Sequence, residues 1–138
     1  MANSNNNTTT VQWSASGSVS LTSNTTRVAS DAVTVHADAV EGAIQVKADN
    51  AGTPASGDTI DLWVVWSVDG TNYDTEEHAQ FLGRLDTYGT NDPGEDPASR
   101  TYSLNVNAKQ KFKLLSRGNQ AASRNQTITA TYNEQRMA

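Results

Sequence analysis

The side chains able to do chemistry are few: the chain has two histidines, fifteen carboxylates and no cysteine. The missing cysteine excludes a disulfide framework, cysteine-ligated zinc and thiol nucleophiles. Glu76, Glu77 and His78 are adjacent, but adjacency along a chain is not convergence on a substrate atom. No strand-turn-helix nucleophile and no glycine-rich phosphate loop accompanies them. His36 falls on the polar side of an alternating segment, away from any carboxylate or hydroxyl constellation, and reads as a surface residue. Spacing alone leaves open one catalytic arrangement, two acids meeting in space as in glycosidases. The expectation is a chain that is not an enzyme and carries no cofactor.

Binding chemistry is better represented. Asp86, Asp92, Glu95 and Asp96 supply oxygen ligands of the type calcium prefers, but their spacing fits no EF-hand, and Pro93 and Pro97 favour a solvated loop. No metal is assigned to them. The run from about Asp86 to Ser99 is long for a simple connection, which marks it as functional or mobile. Lys109, Lys111 and Lys113 recur at every second position, an outward comb that suits an acidic neighbour or guards a sheet edge against pairing. In TIDLWVVWSV, Ile60, Leu62, Val64, Trp66 and Val68 share one face of a strand, which leaves Trp63 and Val65 on the other. That second face needs a cover: a subunit contact, a sugar ring stacked on Trp63, or, within the same chain, the N-terminal segment, the long loop or a central position buried on both faces. Val11 and Trp13 extend the candidate contact surface, and Trp13 and Tyr88 are further stacking candidates.

Charge is divided along the chain. The net charge is −5, yet Arg27, Lys47 and Arg84 are the only bases before Arg100, and Glu134 is the only acid after it. Complementary ends of this kind steer docking between copies or onto an acidic partner, unless both sets simply face water within one fold. Overall acidity disfavours nucleic acid as the main ligand. The longest apolar cluster, Leu62 to Trp66, is far short of the roughly 18 to 20 residues of a membrane helix. The opening MANSNNNTTT has neither the basic nor the apolar region of a signal peptide.

These groups must be positioned by strands. From residue 11 onward apolar residues alternate with polar ones, the period of a half-buried strand. The alternation marks Val11–Ala15, Val19–Leu21, Val33–Ala37, Ile44–Ala48, Ile60–Val68, a short Phe81–Leu82 segment, Tyr102–Val106, Phe112–Leu114 and Ile128–Tyr132. Turn residues separate them, among them Asp69-Gly70, Asp92-Pro93-Gly94 and Arg117-Gly118-Asn119. The pattern predicts an all-β fold, an antiparallel β-sandwich or jelly roll of about eight or nine short strands. Residues 11–138 are expected to form one domain. Residues 1–10 hold no branched aliphatic side chain and are expected as a flexible, polar, extended arm, free or tied onto a neighbouring subunit.

Several runs of this sequence resemble one family. GDTIDLWVVWSVDGTNYDTE, FLGRLDTYG, TNDPGEDPAS, RTYSLNVNA, KFKLLSRGNQ and TITATYNE are similar in style to the small β-sandwich virion proteins of tailed bacteriophages, above all head decoration or cement proteins. The resemblance implies a homo-oligomer, often a trimer, made in the host cytoplasm and seated on the outer capsid surface, where it bridges major capsid proteins. It implies no catalytic residue. Two other readings stay open, a phage tail or baseplate component and a carbohydrate-binding module.

Overall fold

The computed structural model describes residues 4–22, 26–50, 55–88, 98–120 and 125–137. Within these lie ten strands: β1 (Ser4–Thr10), β2 (Val19–Leu21), β3 (Val28–Ala29), β4 (Val33–Thr34), β5 (Ala39–Asn50), β6 (Thr59–Ser67), β7 (Gln80–Asp86), β8 (Ala98–Leu104), β9 (Lys111–Asn119) and β10 (Gln126–Met137). A single 3₁₀ turn, Glu76–His78, precedes β7. The strands form two antiparallel sheets, one ordered β1-β10-β5-β8 with β2 also on β10, the other β3-β9-β6-β7 with β4 also on β9. The architecture is the expected β-sandwich.

Alternation sets the inward face of each strand. Along β10, Ile128, Ala130 and Tyr132 are buried while Thr127, Thr129 and Thr131 are exposed. They meet Ile44, Val46 and Ala48 of β5 and Tyr102 and Leu104 of β8 in a core shared with Ile60, Leu62 and Val64 of β6, Phe112 and Leu114 of β9, and Leu85 of β7. Three rings cross between the sheets: Trp66 and Phe112 have centroids 5.3 Å apart, and Phe112 and Tyr132 are 5.2 Å apart, edge to face. Glycine allows the closest approach. A Cβ on Gly83 would lie 2.4 Å from Cε1 and 2.8 Å from Cδ1 of Tyr102 on the facing sheet. Gly83→Ala is therefore expected to cost about 2 kcal/mol by overpacking, read from the urea midpoint, and to recover in part when Tyr102→Leu removes the ring.

The structure corrects the expected beginning of the chain. Residues 4–10 are not an arm leaving the body. They are β1, paired along its whole length with β10 from Ser4↔Met137 to Thr10↔Thr131. Backbone hydrogen bonds hold a strand that lacks apolar side chains, because an edge position needs no buried face. Val11–Ala15 is not a strand. The Val11 N–H donates to the Ala130 carbonyl at 3.0 Å, and Trp13 and Ser16 exchange both backbone bonds around a tight turn. The turn residues Ser14 and Ala15 have φ of 49° and 62°, a left-handed backbone that costs non-glycine residues. The Asp31 carboxylate offsets this by accepting both of their N–H groups, at 3.0 and 2.9 Å.

Candidate functional site

β6 is buried on both faces, and its outward row is Asp61, Trp63, Val65 and Ser67, opposite Arg117, Leu115, Lys113 and Lys111 of β9. Trp63, Val65 and Leu115 make a second, smaller apolar cluster, joined by Tyr73 and Ala79. Arg27 lies over the indole of Trp63, its guanidinium carbon 3.9 Å from the ring centroid. The Arg27 Nη1 donates to the Glu76 carbonyl at 2.7 Å, which ties the 3₁₀ turn into the same cover. The Arg117 guanidinium carbon lies 5.3 Å from the Trp63 centroid, and Phe81 meets the ring edge-on at 5.8 Å. Trp63 is 8% exposed and Val65 4%, so neither is an open platform. The cover comes from within the chain, but from Arg27 and residues 73–79 rather than from the N-terminal segment.

One carboxylate organises the charge of this face. The side chain of Asp61 is 3% exposed and accepts from Arg84 Nε at 2.6 Å and Nη2 at 3.1 Å, from Arg117 Nη2 at 3.1 Å, and from Asn119 Nδ2 at 3.0 Å. The Arg84 hydrogen bond, helped by Asn119 and Arg117, holds the Asp61 carboxyl below its usual range although burial acts the other way. On the same outer face lie Arg27, Arg84, Lys111, Lys113 and Arg117, and Glu76 and Glu77 line, with Thr26, Arg27 and Arg117, a shallow cavity of about 300 Å³. Phe81, 56% exposed, stands at the edge of this cationic, aromatic face.

The other expected contact residues lie elsewhere. Val11 and Trp13 are buried in the main core, so they are not surface contacts, and Trp13 is no sugar platform. The lysine comb is broken. Lys109 sits in a turn with φ of 68°, while Lys111 and Lys113 are half-buried on β9. The Lys113 ammonium lies 4.6 Å from the Tyr73 ring, and the stem of Lys111 packs close to Gly70. β9 has neighbours on both sides, so these lysines guard no edge. Asp86 is exposed and accepts from the Tyr88 N–H at 3.0 Å, with Tyr88 half-buried beside it. Asp92, Glu95 and Asp96 lie outside the described residues. Among the described residues no group of three or more His, Asp or Glu side chains is placed to hold a metal. Glu76, Glu77 and His78 all point to solvent and do not converge.

Three features were not read from the sequence. The first is the Asp61 cluster. The second is the bonding inside the turn that Asp69-Gly70 had marked, where Asp69 accepts from the Ser67 hydroxyl, the Thr71 and Asn72 N–H groups and the Asn72 amide, each at 2.8 to 2.9 Å. Those bonds, the Asn72 N–H foremost, drive its carboxyl far below the usual range and leave Val68, 78% exposed, at the tip. The third is the outer face of the first sheet, an almost uncharged array in which Thr8, Asn133, Ala43 and Ser103 lie in one row across four strands and Thr10, Thr131, Gln45 and Thr101 in the next.

The fold defines the class, an antiparallel β-sandwich whose two outer faces differ in chemistry. No protein-family model and no curated protein matches the chain. Among solved structures it is similar to the CBM36-1 domain of a multidomain xylanase from the hindgut metagenome of Trinervitermes trinervoides, at 12% identity and TM-score 0.54, over 92% of this chain and 96% of that one. It is also similar to a CBM36 carbohydrate-binding module in complex with calcium and xylotriose, at 11% identity and TM-score 0.46, over 86% and 78% of the two chains. A third is Eiger TNF from S. frugiperda, at 13% identity and TM-score 0.42, over 95% and 92%. The first likeness shows a shared sandwich fold; the other two are too distant to carry an argument.

Proposed function

We propose that the chain is a non-enzymatic virion protein that decorates a bacteriophage head, a homo-oligomer on the outer surface that stabilises the shell by bridging major capsid proteins. The observation that carries this reading is the outer face of the second sheet, where Arg27 and Arg117 lie against Trp63, Phe81 meets its ring, and Arg84, Lys111 and Lys113 share the same face, on a protein of net charge −5. Arginine and aromatic side chains are the types in which binding energy concentrates, and a cationic face on an acidic body orients the molecule on an acidic surface. Binding only the assembled shell would stabilise that shell by linkage.

The test mixes purified protein with heads that lack it and follows cosedimentation and the melting of the heads. Wild type is expected to bind and raise the melting temperature. Arg84→Glu combined with Phe81→Ser is expected to weaken binding at least tenfold, about 1.4 kcal/mol, whereas Thr129→Glu on the opposite face leaves it unchanged. Failure to bind any head, or equal binding by the variants, refutes the assignment. The fold likeness to the CBM36-1 domain favours a second reading, a carbohydrate-binding module. With Arg27 stacked on Trp63 and Trp13 in the core, the expected outcome of a glycan array is silence; binding that is lost in Trp63→Ala would establish the second reading instead.

A further inference from the structure

We infer that the free edge of β1 is a strand-pairing site for a second copy of this chain. The direction of each backbone group on β1 follows from one hydrogen bond and the register. The Val11 N–H donates to the Ala130 carbonyl, and the β1–β10 pairing runs without a slip from Thr10↔Thr131 to Ser4↔Met137. Backbone groups alternate sides along an antiparallel strand. Residues 5, 7 and 9 therefore point theirs at β10, and Ser4, Asn6, Thr8 and Thr10 point theirs outward.

Every other sheet edge among the described residues carries a device that discourages pairing. β2 has three residues, and β3 and β4 have two each. β7 carries Arg84 and Asp86 and is irregular opposite Leu62 and Trp63. β8 carries Arg100, whose Nη1 donates across to the Arg84 carbonyl of β7 at 3.3 Å. Short length, charge, irregularity and cover are the usual protections of an edge. Among the described residues β1 shows none of them: it has seven residues, all Ser, Asn or Thr, with no charge, no proline and no bulge.

A second copy fits this edge in particular. A neutral strand meets itself without like-charge repulsion, and antiparallel self-pairing about a twofold axis satisfies the outward groups of both copies together. Full overlap of the seven residues sets the register, Ser4 opposite Thr10 and Asn6 opposite Thr8, with the axis passing at Asn7. The two first sheets then join into one continuous sheet, and both cationic faces turn to the same side. The order of association is two, in place of the three that the family resemblance implies. The inference stands apart from the capsid reading, since it concerns the protein alone.

Sedimentation of the purified chain over a wide concentration range is expected to give twice 14.8 kDa. Thr8→Pro removes only an outward N–H, so it is expected to give a monomer with unchanged β-sheet circular dichroism. Asn7→Cys places the only cysteine of the chain on the axis, where facing Cα atoms of a non-hydrogen-bonded pair are about 4.5 Å apart. It is expected to form a covalent dimer on oxidation, while Thr129→Cys does not. The covalent test decides the question if Thr8→Pro fails to fold. A wild-type monomer, a pair that survives Thr8→Pro, or the absence of an Asn7→Cys crosslink overturns the inference.

Discussion

Phe112→Ala is expected to lower stability by about 3 to 5 kcal/mol, a large part of the roughly 5 to 15 kcal/mol typical of a domain. Phe112 is fully buried on the inner face of β9, and its ring touches Trp66 of its own sheet and Tyr132 of the other at centroid distances of 5.3 and 5.2 Å. Truncation removes the middle of a three-ring stack. Neither neighbour is free to collapse into the space, since both sit on hydrogen-bonded strands. The loss combines the transfer term of the ring with a cavity term. In urea the midpoint is expected to fall with an unchanged slope. A loss under about 1 kcal/mol would show that the sheets are held together elsewhere.

Asp61→Ala is the second large effect, about 2 to 3 kcal/mol. Removing one partner of a buried ion cluster leaves opposite charge without compensation, which ordinarily costs about 3 to 5 kcal/mol. The figure is lower here because the Arg84 side chain is 59% exposed and regains water. Asp61→Asn separates charge from shape and yields a pH test. The carboxyl is held below its unfolded value of 3.8. Its contribution is therefore fully present above the ordinary carboxylate range and is lost as pH falls through that value toward the depressed folded one. The stability gap between wild type and Asp61→Asn is expected to be constant near neutral pH and to shrink below about pH 4. A gap that widens on acidification would mean that burial, not the arginines, dominates at Asp61. Taking the difference between the two proteins removes the parallel acid sensitivity of Asp69, which is common to both.

The sequence disclosed the strands whose inner and outer faces differ. β5 and β10 stand out because Ile44, Val46, Ile128 and Ala130 alternate with Gln45, Lys47, Thr127 and Thr129, and in β6 the alternation of Ile60, Leu62 and Val64 sets Trp63 and Val65 apart from the core row. β9 was legible only over Phe112–Leu114. Leu114 and Leu115 are both buried, one on each face, because β9 lies inside its sheet with a covered outer side. β1 was invisible, since nothing in Ser4–Thr10 is apolar and its pairing rests on the backbone. The Ser14-Ala15 turn lacks the glycine or asparagine that would announce it; its support, Asp31, is distant in sequence. Distance also hid the cover of Trp63. Arg27 reaches it because β3 brings the residue beside β9, a placement that no local pattern encodes. The expected lysine comb failed on register, because Lys109 falls in the turn before β9 begins.

The pairing of β1 with β10 sets Ser4 beside Met137, so the first and last described residues leave the sandwich at one spot. A peptide or reporter fused to either end would emerge from that same corner, whereas the Asp69-Gly70 turn follows β6 in the other sheet. Joining the ends by a short linker and reopening the chain at that turn would produce a circular permutant whose strands keep all their neighbours.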